Sequence, residues 1–158
     1  MAGLITTATN PTSSEQRSAQ FVAAQLPAKW TVVLKDPSGG TGGTGGNTAD
    51  LAIYTGGSTN NRPDSLNPDD LSEHNQRQPI DIYTPARGAT GQSVTATVGG
   101  KLRSQAAGGV CVDLSIVPPG SRAAIVATLQ KQLVVPPRAV IIVHADTVQL
   151  ALIGSLTA

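Results

Sequence analysis

Residues 110–116 read VCVDLSI, and this stretch is the strongest indication of the fold class. Its positions alternate between two sets, the apolar Val110, Val112, Leu114 and Ile116 and the smaller or polar Cys111, Asp113 and Ser115. A period of two residues is typical of a β-strand with one face turned toward a core. The stretch therefore predicts a half-buried strand.

Similar alternation on the N-terminal side of this stretch predicts further strands. The apolar pairs that alternate with polar or small residues are Val32 and Leu34, Leu51 and Ile53, and Ile80 and Ile82. Val94, Ala96 and Val98 alternate with threonines in the same way, and Gly108 and Gly109 lie in the connection that follows. We therefore expect a strand at 94–98 that forms an antiparallel pair with the strand at 110–116.

The C-terminal side of the stretch predicts a hairpin. Residues 140–143 are continuously apolar, and residues 148–152 alternate again. Residues 144–146, which read HAD, resemble a tight turn between them. The first strand of this hairpin is expected in the interior of a sheet, because both of its faces are apolar.

One helix is predicted near the N-terminus. Thr12 and Glu15 have the spacing of a capping box, an apolar stripe with helical spacing follows, and Pro27 ends it. We place this helix at 13–26.

A second helix is possible at residues 121–133. Ile125, Leu129 and Leu133 recur at every fourth position, which fits a helix, although this segment also alternates acceptably as a strand. Its alanine and glutamine content favours the helix.

These elements predict a mainly β fold, an antiparallel β-sandwich or barrel of jelly-roll type with one N-terminal helix and the possible helix near 121–133. Residues 1–11 are small and polar and are interpreted as an extended N-terminal arm. Residues 12–158 then form a single domain with long loops at 36–49, which are rich in glycine, and at 56–78, which are rich in Asn, Asp and Pro.

The composition excludes several classes of protein. The chain has 158 residues, of which 13% are charged and 3% aromatic, and a formal net charge of +1. This balance matches neither a disordered chain nor a coiled coil. The single cysteine, Cys111, excludes an internal disulfide, and no apolar run approaches the roughly 20 residues that cross a membrane. A soluble protein without a membrane partner is expected.

No motif in the sequence identifies a catalytic group. Gly40, Gly42 and Gly45 match a dinucleotide-binding spacing, but a strand rather than a helix is predicted after them. His74 and His144 are the only histidines, and no nucleophile elbow accompanies them. The acidic residues between 64 and 73 are interpreted as a solvated loop, since their spacing is not that of a calcium loop. The sequence therefore predicts no catalytic residue, no metal site, no cofactor and no enzyme.

Two groups of residues are predicted to make contacts with other molecules. Lys101, Arg103 and Arg122 form a modest basic group and are the candidates for contact with a nucleic-acid backbone. The candidates for contact between subunits are the apolar and aromatic residues Leu4, Ile5, Phe21 and Trp30.

In composition and layout the chain resembles the small coat and decoration (cement) proteins of icosahedral phages and viruses. The resemblance implies a homo-oligomer or capsid lattice, weak contact with packaged nucleic acid, and a location in the virion or, during assembly, in the host cytoplasm. A coat protein is slightly favoured over a decoration protein. The alternative interpretation is a soluble ligand-binding or adhesin-type β-sandwich that uses the 56–78 loop.

Overall fold

The computed structural model describes residues 2–6, 11–28, 30–36, 49–54, 77–104, 108–137 and 139–154. The strands in these ranges are β1 (Gly3–Thr6), β2 (Thr31–Asp36), β3 (Ala49–Tyr54), β4 (Arg77–Tyr83), β5 (Gly109–Asp113), β6 (Val140–Ala145) and β7 (Val148–Ile153). The helices are α1 (Ser13–Gln25), α2 (Gly91–Ser104) and α3 (Pro119–Gln132). A β-rich chain with an N-terminal helix is thereby confirmed.

The strands form one mixed sheet in which their spatial order is their order along the chain. The β1–β2, β4–β5 and β5–β6 pairs are parallel, and the β2–β3, β3–β4 and β6–β7 pairs are antiparallel. The predicted antiparallel sandwich or jelly-roll is corrected to this single sheet within the described ranges. The physical reason is that α2 and α3 are crossovers, and a strand that follows a crossover helix enters the sheet parallel to the strand before it.

The two faces of the sheet are covered by different helices. On one face, here called the α1 face, α1 packs its Phe21 and Val22 against strand residues that include Leu51 and Ile142. The opposite face, here called the α2–α3 face, buries a second cluster in which Val94 and Ile125 pack against residues such as Val112. Because side chains alternate along a strand, neighbouring residues of β4, β5 and β6 contribute to different faces.

The predicted N-terminal helix is confirmed. Thr12 Oγ1 accepts a hydrogen bond from the Glu15 amide at 3.1 Å, and the Thr12 amide donates to Glu15 Oε1 at 3.0 Å. This capping box satisfies amide groups that have no partner inside the helix, so α1 begins where the sequence indicates.

The predicted strand at 94–98 is wrong, because this segment lies in α2. Val94, Val98 and Leu102 are buried on one side of that helix, four residues apart. Thr90 and Ser93 make reciprocal side-chain to backbone hydrogen bonds of 3.1 and 2.9 Å just before and within the first turn. Val94 and Val98 are compatible with both periods, and the threonines between them suggested a strand that tertiary packing overrides.

The helix interpretation of residues 121–133 is confirmed by α3, which buries Ile125 and Leu129. The C-terminal hairpin is also confirmed, with all six residues of β6 buried and β6 in the interior of the sheet. Its turn lies at Asp146 and Thr147, slightly later than predicted, and Asp146 has a positive φ of 51°.

The connection into β5 requires glycine. Gly108 has a φ of 129°, and a Cβ atom at this position would lie 2.0 Å from the carbonyl oxygen of Pro79. A side chain is therefore excluded where β5 enters the sheet beside β4.

The remaining organisational predictions fall partly outside the described residues. Residues 3–6, in the segment interpreted as an arm, form β1. The predicted loops at 36–49 and 56–78 are described only at their ends, where Asp36, Ala49, Arg77 and Gln78 belong to strands. No helix in the described part of the chain is long and apolar enough to span a membrane.

Candidate functional site

Two aspartates approach each other across β3 and β4. Leu51 pairs with Ile80 in this antiparallel ladder, so Asp50 and Asp81 are the next residues along their strands. Ile80 belongs to the α1 face, and Asp81 therefore projects toward the α2–α3 face. The Ile82 amide donates a 3.1 Å hydrogen bond to Asp50 Oδ2, which orients that carboxyl group.

Lys101 in the last turn of α2 completes this group, here called the carboxylate pair with Lys101. Its Nζ lies 2.6 Å from Asp81 Oδ2 and 5.6 Å from the centroid of the Tyr83 ring. Tyr83 is two residues after Asp81 and so occupies the same face of β4. The side chains of Lys101 and Asp81 are 31% and 17% exposed, so the group is accessible from solvent.

The pKa of Asp81 is raised above its ordinary value. Burial is the largest cause, and the hydrogen-bonding proximity of the Asp50 carboxyl group raises this pKa further, whereas Lys101 lowers it. Two carboxylates beside one ammonium leave a charge of −1 when all three groups are ionised. Such a site favours either a shared proton or an additional cation.

The carboxylate pair differs from other two-carboxylate sites. Carboxyl groups within hydrogen-bonding reach are too close for the geometry of glycoside hydrolysis, which separates them by about 5 Å or more. No group of three or more His, Cys, Asp or Glu side chains suited to a metal occurs among the described residues. Two carboxylates are nevertheless sufficient for Mg²⁺, which keeps several waters and completes its octahedron with phosphate oxygens.

A third carboxylate, Asp113 at the end of β5, lies on the α1 face and is fully buried. Arg17 of α1 donates to its Oδ2 through Nε at 2.9 Å and Nη2 at 2.6 Å. Ser115 donates to its Oδ1 through the amide at 3.0 Å and the hydroxyl at 2.5 Å. Ser14 Oγ donates to Oδ2 at 3.2 Å and is also hydrogen-bonded to Thr84 Oγ1.

Burial would raise the pKa of Asp113, but the hydrogen bonds from Arg17 and Ser115 outweigh it and hold this pKa below its ordinary value. The carboxylate is therefore ionised and fully satisfied by its donors. Because its charge is balanced and it has no access to solvent, we interpret the Arg17–Asp113 pair as the anchor of α1 to the sheet.

His144, at the end of β6, lies beside this anchor and is also fully buried. Its Nε2 is 3.0 Å from Ser18 Oγ, its Nδ1 is 3.2 Å from the Asp146 carbonyl oxygen, and its ring stacks on Phe21 with a centroid distance of 4.5 Å. Burial is the main reason that the pKa of His144 is lowered. The Ser18–His144 contact resembles part of a catalytic triad, but neither residue is exposed, so no substrate reaches it.

Cys111 is equally enclosed. Burial raises the pKa of its thiol to about 12, so the reactive thiolate is absent at neutral pH.

The predicted nucleic-acid residues are placed in different surroundings. Lys101 belongs to the carboxylate pair, and Arg103 is exposed in the same turn of α2. Arg122, in the first turn of α3, donates to the carbonyl oxygens of Val117 and Ser115 at 2.9 and 3.1 Å. Arg122 thus fixes the connection between β5 and α3, and the nucleic-acid contact of all three residues stays a prediction.

The predicted subunit contacts also stay predictions. Within the single chain, Phe21 and Trp30 are 5% exposed and belong to the core of the α1 face, whereas Leu4 is 39% exposed on β1. Ile5 lies on the same strand, and its side chain is outside the described atoms.

Sequence reasoning missed Asp50 and Asp81 as a site. The available signal was one acidic residue within each of two predicted strands that are otherwise uncharged near it, ADLAIY and PIDIY. Alternation predicts the face of each residue but not the register between strands, so it did not place the two aspartates side by side.

Comparisons with known proteins give one structural likeness. No protein-family model matches the chain, and no curated protein matches its sequence. A solved CdiA-CT/CdiI toxin and immunity complex from Burkholderia pseudomallei contains a chain with a TM-score of 0.49 and 19% sequence identity, covering 96% of this chain and 98% of that chain.

The interpretation as a virion coat or decoration protein is corrected. The resemblance implied an antiparallel sandwich or barrel, and the described residues form a mixed sheet with helical crossovers instead. The capsid lattice and the virion location are withdrawn with it, as is the alternative of a ligand-binding or adhesin-type β-sandwich.

Proposed function

We propose that the chain is a hydrolase of phosphate diesters, in which Asp50 and Asp81 hold a divalent cation and Lys101 contacts the phosphate. The observation that supports this proposal is the cross-strand carboxylate pair, with Lys101 Nζ at 2.6 Å from Asp81 and the side chains of Lys101 and Asp81 partly exposed. The proposal departs from the sequence prediction of a non-enzymatic protein, which stays untested.

Charge balance supports a cation at this position. The charges of Asp50, Asp81 and Lys101 sum to −1 when all three groups are ionised, and a divalent ion would change the sum to +1. That positive charge suits a phosphodiester substrate, because a phosphodiester has the opposite charge of −1. A bound cation would lower the pKa of Asp81, which burial and Asp50 otherwise raise.

Each residue then has a separate role. Asp50 and Asp81 would hold the ion, which would supply Lewis acidity at the phosphate. The Ile82 amide keeps Asp50 oriented. Lys101, once released from its ion pair with Asp81, stabilises the negative charge that develops on the phosphate oxygens. Tyr83 limits where the ammonium group moves.

Hydrolysis assays test the proposal. The protein is incubated with Mg²⁺ or Mn²⁺ and with bis(4-nitrophenyl) phosphate, RNA or DNA as separate substrates. We expect hydrolysis that EDTA abolishes, and a decrease of about 100-fold or more in Asp81→Asn and Asp50→Asn, because removing a ligand to the ion costs several kcal/mol of transition-state stabilisation.

Asp146→Asn is the matched control, because Asp146 is an exposed aspartate outside the carboxylate pair. This variant is expected to keep full activity. Titration calorimetry that detects no binding of Mg²⁺ or Mn²⁺ would contradict the proposal. Equal activity in Asp81→Asn and Asp146→Asn would also contradict it.

We also propose a protein partner, a second copy of this chain that pairs with β7. Within the described residues β7 pairs only with β6, and it contains neither a charged residue nor proline. Val148 and Leu152 are 59% and 48% exposed, and a groove of about 130 Å³ between α1 and β7 is lined by Phe21, Leu26 and Leu152 among others. Two uncharged edges pair across a two-fold axis without electrostatic repulsion.

Light scattering after size-exclusion chromatography tests this second proposal. We expect a dimer that dissociates on dilution, and Leu152→Lys is expected to shift it to monomer because it places like charges at the paired edges. Ile116→Lys adds the same charge at another exposed apolar residue, 54% exposed, and is expected to leave the dimer intact. A monomer at every concentration would contradict the pairing.

A further inference from the structure

The second half of α1 packs against His144 of the sheet. Ser18 and Phe21, on successive turns of α1, contact its ring edge and its ring face. Both of these residues and His144 are buried at 5% exposure or less. The helix and the imidazole therefore exclude water from each other.

The hydrogen bonds define which nitrogen has the proton. The Asp146 carbonyl oxygen only accepts, so Nδ1 of His144 is the protonated nitrogen and donates to it. In the neutral ring Nε2 then has no hydrogen and accepts from the Ser18 hydroxyl. The site as folded is thus complementary to neutral imidazole.

The charged groups around His144 come from every element that packs against it. On α1, Arg17 repels an imidazolium; on β5, Asp113 attracts it, although its charge is already engaged by Arg17. In the β6–β7 turn Asp146 also attracts it, and Cys111 on β5 is neutral. These attractions do not replace the water that a buried imidazolium lacks.

We propose that His144 is an acid-sensitive release for α1: protonation of the ring at Nε2 makes the second half of the helix leave the sheet so that the ring gains water. The first half stays attached, because the two Arg17 hydrogen bonds to Asp113 Oδ2 persist while Asp113 is ionised. Acidification therefore separates α1 from the sheet at one end before it unfolds the domain. This inference is independent of the proposed hydrolase.

Burial of the ring places the release below the ordinary histidine pKa of 6.5. A group whose folded pKa is lowered binds more protons in the open state than in the closed state, so closure of α1 weakens as the pH falls below 6.5. The low pKa of Asp113 gives the opposite end of the helix a separate and more acidic limit.

Hydrogen exchange of the α1 amides across pH 7.5 to 5.0 tests the proposal, after correction for the intrinsic exchange rate. One linked proton predicts a loss of protection of about tenfold for each pH unit between the ordinary histidine pKa of 6.5, which the ring has in the open state, and the lower pKa that it has in the closed state. The loss is expected from Ser18 to Gln25, while the amides of β5 and β6 stay protected. Trp30, the single tryptophan, lies in the same core cluster and is expected to show red-shifted fluorescence over the same range.

Two histidine variants provide the comparison. His144→Gln cannot become charged and is expected to remove the pH dependence, whereas His74→Gln, at the only other histidine, is expected to keep it. If His144→Gln does not fold, an NMR titration of the His144 ring in the unchanged protein replaces it, with His74→Gln used to assign the signal. If the His144 ring titrates near pH 6.5 while the α1 amides stay protected, the proposal is overturned. A pH dependence that survives in His144→Gln would also overturn it.

Discussion

Asp81 and Asp113 are the same residue type on adjacent strands, Asp81 within β4 and Asp113 at the end of β5, yet the pKa values of their carboxyl groups are shifted in opposite directions. The pKa of Asp81 is raised, by burial and by Asp50, and the pKa of Asp113 is lowered although it is the more deeply buried of the two. The difference lies in the donors, since Asp113 accepts from Arg17 and Ser115 while Asp81 faces a second carboxyl group. A buried carboxyl group requires hydrogen-bond donors. The groups that it contacts determine whether it serves as a structural anchor or stays available for binding and catalysis.

The largest change in the free energy of unfolding is expected from Asp113→Asn. This variant leaves the Arg17 guanidinium beside a neutral amide and removes an ion pair whose carboxylate is fully buried while Arg17 is 29% exposed, so we expect a loss of about 3 kcal/mol, at the lower end for broken buried pairs. Urea unfolding at pH 7 measures it, with exposed Asp146→Asn as the control. A loss below about 1 kcal/mol, in the range of surface pairs, would show that the pair is not an anchor.

Arg17→Met examines the same pair from the cation side. Because the folded pKa of Asp113 is lowered, the unfolded state binds more protons between the two pKa values. The contribution of Asp113 to the free energy of unfolding is therefore complete above the unfolded value and is lost as the pH falls through the folded value. Without Arg17 the two pKa values converge, so we expect a lower stability at pH 7, by about 2 kcal/mol, and a flatter dependence on pH below the ordinary aspartate pKa.

Urea unfolding of both proteins at a series of pH values gives this slope directly. Lys131→Met, which removes an exposed cation from α3, is the control for loss of a positive charge. An acid slope in Arg17→Met equal to that of the unchanged protein would assign the slope to other groups.

Asp81→Asn is expected to change the free energy of unfolding by a smaller amount than Asp113→Asn and in the opposite direction. A carboxyl group with a raised folded pKa binds its proton more tightly in the folded state, so its ionisation above that pKa reduces stability. Replacing it should therefore leave the free energy of unfolding at pH 7 unchanged or slightly higher. Asp50→Asn should also lower the pKa of Asp81, as measured by carbon NMR of the carboxyl groups. A loss in Asp81→Asn as large as that in Asp113→Asn would remove the contrast between the two residues.

The smallest effect is expected at Tyr83. Tyr83→Leu removes the ring beside Lys101 and should cost about 0.5 kcal/mol, the value of a cation–π contact at a partly exposed site. Tyr83→Phe retains the ring and should cost less than the leucine variant. Urea unfolding of the pair of variants measures the difference, and equal losses would attribute the effect to the hydroxyl group, which both variants lack.

Local sequence patterns predicted the elements better than their arrangement. The capping box of Thr12 and Glu15, the strands around Val32, Leu51 and Ile80, and the terminal hairpin depend on neighbours within a few residues. The segment 94–98 failed because its valines, spaced by four, suit either period. This error also made the predicted sheet wrong. A strand at 94–98 would pair with β5 in antiparallel fashion, whereas the helix that is present connects β4 to β5 as a parallel pair.

The contacts of the site join residues that are distant along the chain. Arg17 and Asp113 are 96 residues apart, and Ser18 and His144 are 126 residues apart. Spacing rules do not reach such pairs, because they depend on the register and order of strands. The sequence did indicate Lys101 as a functional residue, but its partner Asp81 was interpreted only as a polar position in a strand.

The agreement between strand order in the sheet and strand order in the chain has a mechanical consequence. Among the described strands, the one nearest each end of the chain, β1 or β7, is also an outer strand of the sheet. A force applied to one end therefore meets a single ladder at a time, and we expect the sheet to be peeled strand by strand instead of being sheared as a whole.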